Sequence, residues 1–114
     1  MKPPQLNKAQ FRIYFLIYAA HVDYEYTSHE HSYLEANCDS TELNKMMELF
    51  NSHSDYASLK LILAHKQLYL QSAEDRQSIY QEVIKIFKAD GDYSRSEKTF
   101  LEFFEKLVVE INLH

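Results

Sequence analysis

The residues with the most chemistry to offer are a set of carboxylates that occurs twice. Residues 23–35 read Asp-Tyr-Glu-Tyr-Thr-Ser-His-Glu-His-Ser-Tyr-Leu-Glu, and residues 90–102 read Asp-Gly-Asp-Tyr-Ser-Arg-Ser-Glu-Lys-Thr-Phe-Leu-Glu. The copies match without a gap at an offset of 67 (90 minus 23), so Asp23, Glu25 and Glu30 correspond to Asp90, Asp92 and Glu97. A hydroxyl residue, Thr27 or Ser94, stands three positions before the last acid of each copy. Oxygen ligands at this spacing fit a hard divalent cation, calcium, magnesium or manganese. Helix capping explains them with fewer requirements, since a complete oxygen cage needs more ligands than either copy shows. In Thr27-x-x-Glu30 and Ser94-x-x-Glu97 the hydroxyl accepts from the third helical N–H, and the Glu reaches back to the N–H of the cap.

An EF-hand tests the first role. Placing Glu97 at the last position of a twelve-residue loop puts Asp90, Asp92 and Ser94 at acceptable places, but Ile86 and Lys88 then stand where the first acidic ligands belong. The other copy fails in the same way with Ala19 and His21, so an ordinary EF-hand is excluded. What survives is a smaller oxygen site on Asp90, Asp92 and Glu97, or on Asp23, Glu25 and Glu30, completed by water or by the other copy.

Zinc is a poorer fit. His21, His29 and His31 flank the first set of acids, but residues two apart on a helix point to opposite sides, whereas chelating pairs sit three or four apart. His53 falls in a turn, His65 in a helical stretch and His114 at the terminus, none with a partner that sequence identifies. Cys38 is the only cysteine. It reads as a small half-buried residue, with no intrachain disulfide and a reducing, cytoplasmic setting. No nucleophile elbow, phosphate loop, Cys-x-x-Cys or His-Glu-x-x-His occurs, so no catalytic residue is assigned and the expected function is not enzymatic.

Composition narrows the partners. The 114 residues carry 12 Lys and Arg against 17 Asp and Glu, a net charge of -5, with no basic cluster. Nucleic acid and anionic membrane both require a concentrated positive face and are not expected partners. The longest apolar run, residues 13–20, is too short for a membrane span, and Tyr18-Ala19-Ala20 lacks a signal-cleavage pattern. A protein partner or a cation is what remains.

Helices must position these groups. One glycine and two prolines are too few for a strand-and-turn protein, and 114 residues suffice for one core. Residues 1–6 read as a loose lead and 7–114 as a single helical domain. The first helix, capped by Asn7 and running to about Val22, is apolar around nearly its whole circumference, which predicts a central buried helix. A second runs from Thr27 to about Asn37. A third starts at Asp39 or Ser40, with Leu43, Met46, Met47 and Phe50 on one face. A fourth spans about Asp55 to Leu70 behind Ser54, with Leu59, Ile62, Leu63, Tyr69 and Leu70 as its apolar residues. A fifth spans about Ala73 to Lys88 behind Ser72, with Asp75 at the capping-box position and Ile79, Tyr80, Val83, Ile84 and Phe87 inward. The sixth, from Ser94 to about Asn112, carries the stripe Phe100, Phe103, Phe104, Leu107, Val108 and Ile111. The expectation is an all-α, single-domain compact bundle of about six helices with an internal pseudo-repeat.

The run Ala89-Asp90-Gly91-Asp92-Tyr93-Ser94-x-x-Glu97, paired with the degenerate copy His21-Val22-Asp23-Tyr24-Glu25-Tyr26-Thr27-x-x-Glu30, resembles the corners of the tellurite-resistance TerB-like family. The resemblance covers about nine residues per copy. In the first copy Tyr24 replaces the glycine and Val22 the alanine. It implies an all-helical fold of two pseudo-symmetric halves and a cellular theme of stress response. It also implies a divalent-metal role for Asp23, Glu30, Asp90 and Glu97, extended to Glu25 and Asp92. Two functional expectations follow: a cytoplasmic binding or interaction module, or a metal-binding or metal-sensing protein using the corner acids.

Overall fold

The computed structural model describes residues 5–21, 27–88, 98–99 and 101–102. Five helices are described in full: α1 (Lys8–Ala20), α2 (Ser28–Asn37), α3 (Ser40–Ser52), α4 (Asp55–Tyr69) and α5 (Ala73–Lys88). Residues 98–99 and 101–102 are also helical, and no strand occurs among the described residues. The rest of the expected sixth helix, with its phenylalanine stripe, lies outside them, as do the second acidic corner and residues 22–26 of the first.

Local chemistry sets each helix start. Asn7 Oδ1 accepts from the Gln10 N–H at 2.8 Å while Gln10 Oε1 accepts from the Asn7 N–H at 3.1 Å, a reciprocal box that opens α1. Thr27, Asp39 and Ser54 cap α2, α3 and α4 in the same sense, each accepting from the N–H three residues on. At α5 the Ser72 hydroxyl accepts from the Asp75 N–H at 3.0 Å. These caps satisfy N–H groups that the first turn leaves without helical acceptors.

The all-round apolar α1 is the hub. Eight of its thirteen residues are buried: Phe11, Ile13, Tyr14, Phe15, Leu16, Ile17, Ala19 and Ala20. All four other helices pack on it, α3 most extensively. Leu34 of α2, Leu43 and Met46 of α3, Leu61 and Ile62 of α4, and Ile79, Val83, Ile86 and Phe87 of α5 close the core around it. Each buried Leu, Ile or Phe adds roughly 1.5–3 kcal/mol by leaving water.

The structure refines the sequence reading at three places. Ile86 rather than Ile84 is fully buried in α5, because the helix presents Ile79, Val83, Ile86 and Phe87 to α1. In α4 the core side takes Leu61 and Ile62 together with Ser58 and His65, while Leu63 is 37 % exposed. The packed chain also begins earlier than Asn7: Leu6 is buried in the core cluster.

Candidate functional site

Of the six corner acids, Glu30 alone lies within the described residues, and it caps α2. It is buried, and its Oε1 accepts from the Thr27 N–H at 3.0 Å and the Thr27 hydroxyl at 3.2 Å. The Glu30 N–H in turn donates to Thr27 Oγ1 at 3.2 Å, completing the capping box read from sequence. Asp23, Glu25, Asp90, Asp92 and Glu97 lie outside the described residues. Among the described residues no group of three or more His, Cys, Asp or Glu side chains is placed to hold a metal ion.

The described histidines are distributed rather than gathered. His21 Nδ1 donates to the Ile17 carbonyl at 2.8 Å and its ring lies 4.6 Å from that of Phe50, so it is half-buried at the end of α1 rather than solvated. His31 pairs with Glu35 at 3.2 Å on the surface of α2. His53 Nδ1 and the Tyr14 hydroxyl are 3.0 Å apart, and Tyr14 donates to Ser58 Oγ at 2.9 Å. Burial pushes the Tyr14 hydroxyl above its ordinary range, against the opposing pull of the Ser58 bond. This trio looks like a nucleophile relay on paper, but Ser58 is 1 % exposed and its oxygen is an acceptor for Tyr14. It ties α1 to α4 and to the end of α3.

A second polar tie spans three elements. Arg12 of α1 donates through Nε and Nη2 to the two Glu82 oxygens of α5 at 2.7 and 2.5 Å, and through Nη2 to the Asn37 carbonyl at the end of α2 at 3.1 Å. The bidentate bond to Glu82 is the main reason the Arg12 guanidinium holds its proton more firmly than usual. Cys38 sits beside this pair. Burial raises its thiol above the ordinary range, outweighing the nearby Arg12 charge, so the thiol keeps its proton at neutral pH.

Between α1 and α5 runs a groove of about 360 Å³, lined by Lys8, Ala9, Phe11, Arg12, Tyr69, Asp75, Ser78 and Ile79. Lys8 Nζ and Asp75 Oδ1 pair across it at 2.9 Å. Because Lys8 and Arg12 meet Asp75 and Glu82 in that order, α1 and α5 run in the same sense. The groove walls are apolar and its charges are matched.

A second surface feature lies on α4. All three exposed large hydrophobic side chains among the described residues belong to it: Tyr56 at 69 %, Leu63 at 37 % and Leu68 at 59 %. Tyr56 and Leu63 are seven apart and share a face. Lys60, one turn after Tyr56, lays its ammonium 5.3 Å from that ring. Sequence reasoning named Leu63 among the apolar residues of α4 without assigning its face. The signal it passed over is that Leu61, Ile62, His65 and Tyr69 alone complete an inward stripe, leaving Leu63 and Leu68 surplus.

No family model, no curated protein and no solved structure matches the chain. No described helix is long and apolar enough to cross a membrane.

Proposed function

We propose that the chain is a non-enzymatic interaction module that docks a protein partner on the outer face of α4. The observation that carries this reading is that the exposed large hydrophobic side chains of the described residues fall together on that one helix. Isolated surface apolar residues need no explanation, but a set gathered on one helix is a binding surface by its desolvation free energy. Lys60 and Lys66 give this helix a basic flank on a chain of net charge -5. The partner is therefore a protein presenting apolar side chains with an acidic border, and nucleic acid is not among its ligands. A cytoplasmic setting fits the single protonated cysteine.

We further propose the architecture of two related halves with a sixth helix, of the TerB-like kind. Its support is that α1 and α5, which precede the two acidic copies, lie side by side in the same sense, with Lys8 paired to the residue 67 positions on, Asp75. The metal role of the corner acids belongs to the same family reading and is separated by experiment.

A photocrosslinking side chain at Leu63 in the full chain should capture a discrete partner in the native host, while the same group at Glu48 on α3 should not. Tyr56→Lys with Leu68→Lys should abolish capture by the group at Leu63 without lowering the melting temperature. Equal capture at both positions, or capture that survives the double substitution, overturns the reading. A panel of calcium, magnesium, manganese and zinc separates the alternative, because a cation at 100 times its dissociation constant raises stability by about 2.7 kcal/mol. A shift abolished by Asp90→Asn would move the function to the acidic corners.

A further inference from the structure

His65 is buried, 3 % exposed, and both of its ring nitrogens are spent on backbone groups. Nδ1 lies 2.9 Å from the Leu61 carbonyl oxygen, which only accepts, so Nδ1 carries the ring proton. Nε2 lies 3.0 Å from the Leu6 N–H, which only donates, so Nε2 must offer its lone pair. One protonation state satisfies both bonds: the neutral ring with its proton on Nδ1. The carbonyl of the same Leu6 accepts from the Tyr69 hydroxyl at 2.7 Å. His65 and Tyr69, one turn apart on α4, thus clasp both backbone groups of a residue that is 59 positions away from His65 in sequence.

The surroundings make this clasp sensitive to one proton. Against the His65 ring lie the Phe11 ring of α1 and the Tyr69 ring of its own helix, each 6.1 Å away, together with the Leu6 backbone. The elements at this corner carry Lys66 on α4, Lys8 and Arg12 on α1, and Asp75 and Arg76 on α5; Lys8 pairs with Asp75 at 2.9 Å, Arg12 pairs with Glu82, and Arg76 donates to the Leu70 carbonyl. Since backbone occupies both ring nitrogens, no carboxylate is hydrogen-bonded to the ring to welcome a second proton. A proton taken from water onto Nε2 would face the Leu6 N–H, donor against donor, in a buried site.

We propose that His65 is a proton-operated clasp, which holds residues 5–7 to α4 while its ring is neutral and releases them when Nε2 is protonated. Release lifts Leu6 off the core and exposes the apolar rings of Phe11 and Tyr69, which also line the groove between α1 and α5. The sign follows from the lone pair. The neutral ring makes the bond, so attachment holds while Nε2 keeps its lone pair and is lost as pH falls.

NMR on the full chain tests this. At about pH 7.5 the ¹⁵N shifts of His65 should be those of a neutral Nδ1–H ring. The Leu6 amide protection factor, corrected for intrinsic exchange, should fall by about tenfold or more toward pH ~5. His65→Gln should leave Leu6 protection flat across this range, whatever its level. Tyr69→Phe keeps the imidazole but removes the hydrogen bond to the Leu6 carbonyl, and should move release to higher pH. The clasp is overturned by a neutral Nε2–H ring, by Leu6 protection unchanged in the native chain, by the same fall persisting in His65→Gln, or by an unmoved midpoint in Tyr69→Phe. Should His65→Gln fail to fold, the ring spectrum and the Tyr69→Phe arm still decide.

Discussion

Asp75 stands at the capping-box position of α5, three residues after Ser72, and the pattern directs its carboxylate back to its own helix start. The fold sends it elsewhere as well. The Ser72 hydroxyl takes the Asp75 N–H, while the Asp75 carboxylate meets Lys8 of α1 at 2.9 Å. Lys8 first, and then Ser72, hold the carboxyl below the usual carboxylate range. The contribution of this group is therefore present above that range and is lost as pH falls through its lowered value. Asp75→Asn should lower the urea midpoint at about pH 7, and the gap to the native chain should close toward about pH 2. A gap independent of pH would mean that the ion pair is not its source. Ser72 as the cap was legible because a hydroxyl at a helix start needs only its own next turn. Lys8 was not, because nothing local distinguishes it from any other exposed lysine.

At the scale of elements, the starts of α2, α3 and α4 fall where Thr27, Asp39 and Ser54 place them. Capping is chemistry among neighbours in sequence, so it can be read without a fold. Asp39→Ala removes the acceptor for the Glu42 N–H, 3.0 Å away, and should cost about 1 kcal/mol in denaturant unfolding with the slope unchanged. The inward face of α4 was legible only in part. Its apolar residues exceed what one packed face can hold, and only the position of α1 decides that Leu61 and Ile62 go in while Leu63 and Leu68 stay out. The same packing brings His65 inward, where a partner for it appears from the far end of the chain.

For the whole molecule, the circumferentially apolar first helix determined the architecture: such a helix is stable only if others surround it, and α1 meets all four. One substitution measured at two places checks this. Leu16→Ala, at a side chain 0 % exposed in α1, should cost about 2–5 kcal/mol, whereas Leu63→Ala on the outer face of α4 should stay within about 0.5 kcal/mol. Comparable losses would mean that α1 is not the hub. The duplicated carboxylates were the most visible chemistry in the sequence, and for Glu30 the structure shows the capping role. The sequence by itself determined the helical class, the helix starts and the central place of α1, because these depend on periodicity and on neighbours within a turn. Tertiary structure alone decided that Arg12 meets Glu82, that Tyr14 joins His53 to Ser58, that His65 closes on Leu6 and that α4 turns an apolar face outward. Each of these joins residues far apart in the chain or chooses among faces of equal hydrophobicity, and only the packing of whole helices supplies that choice.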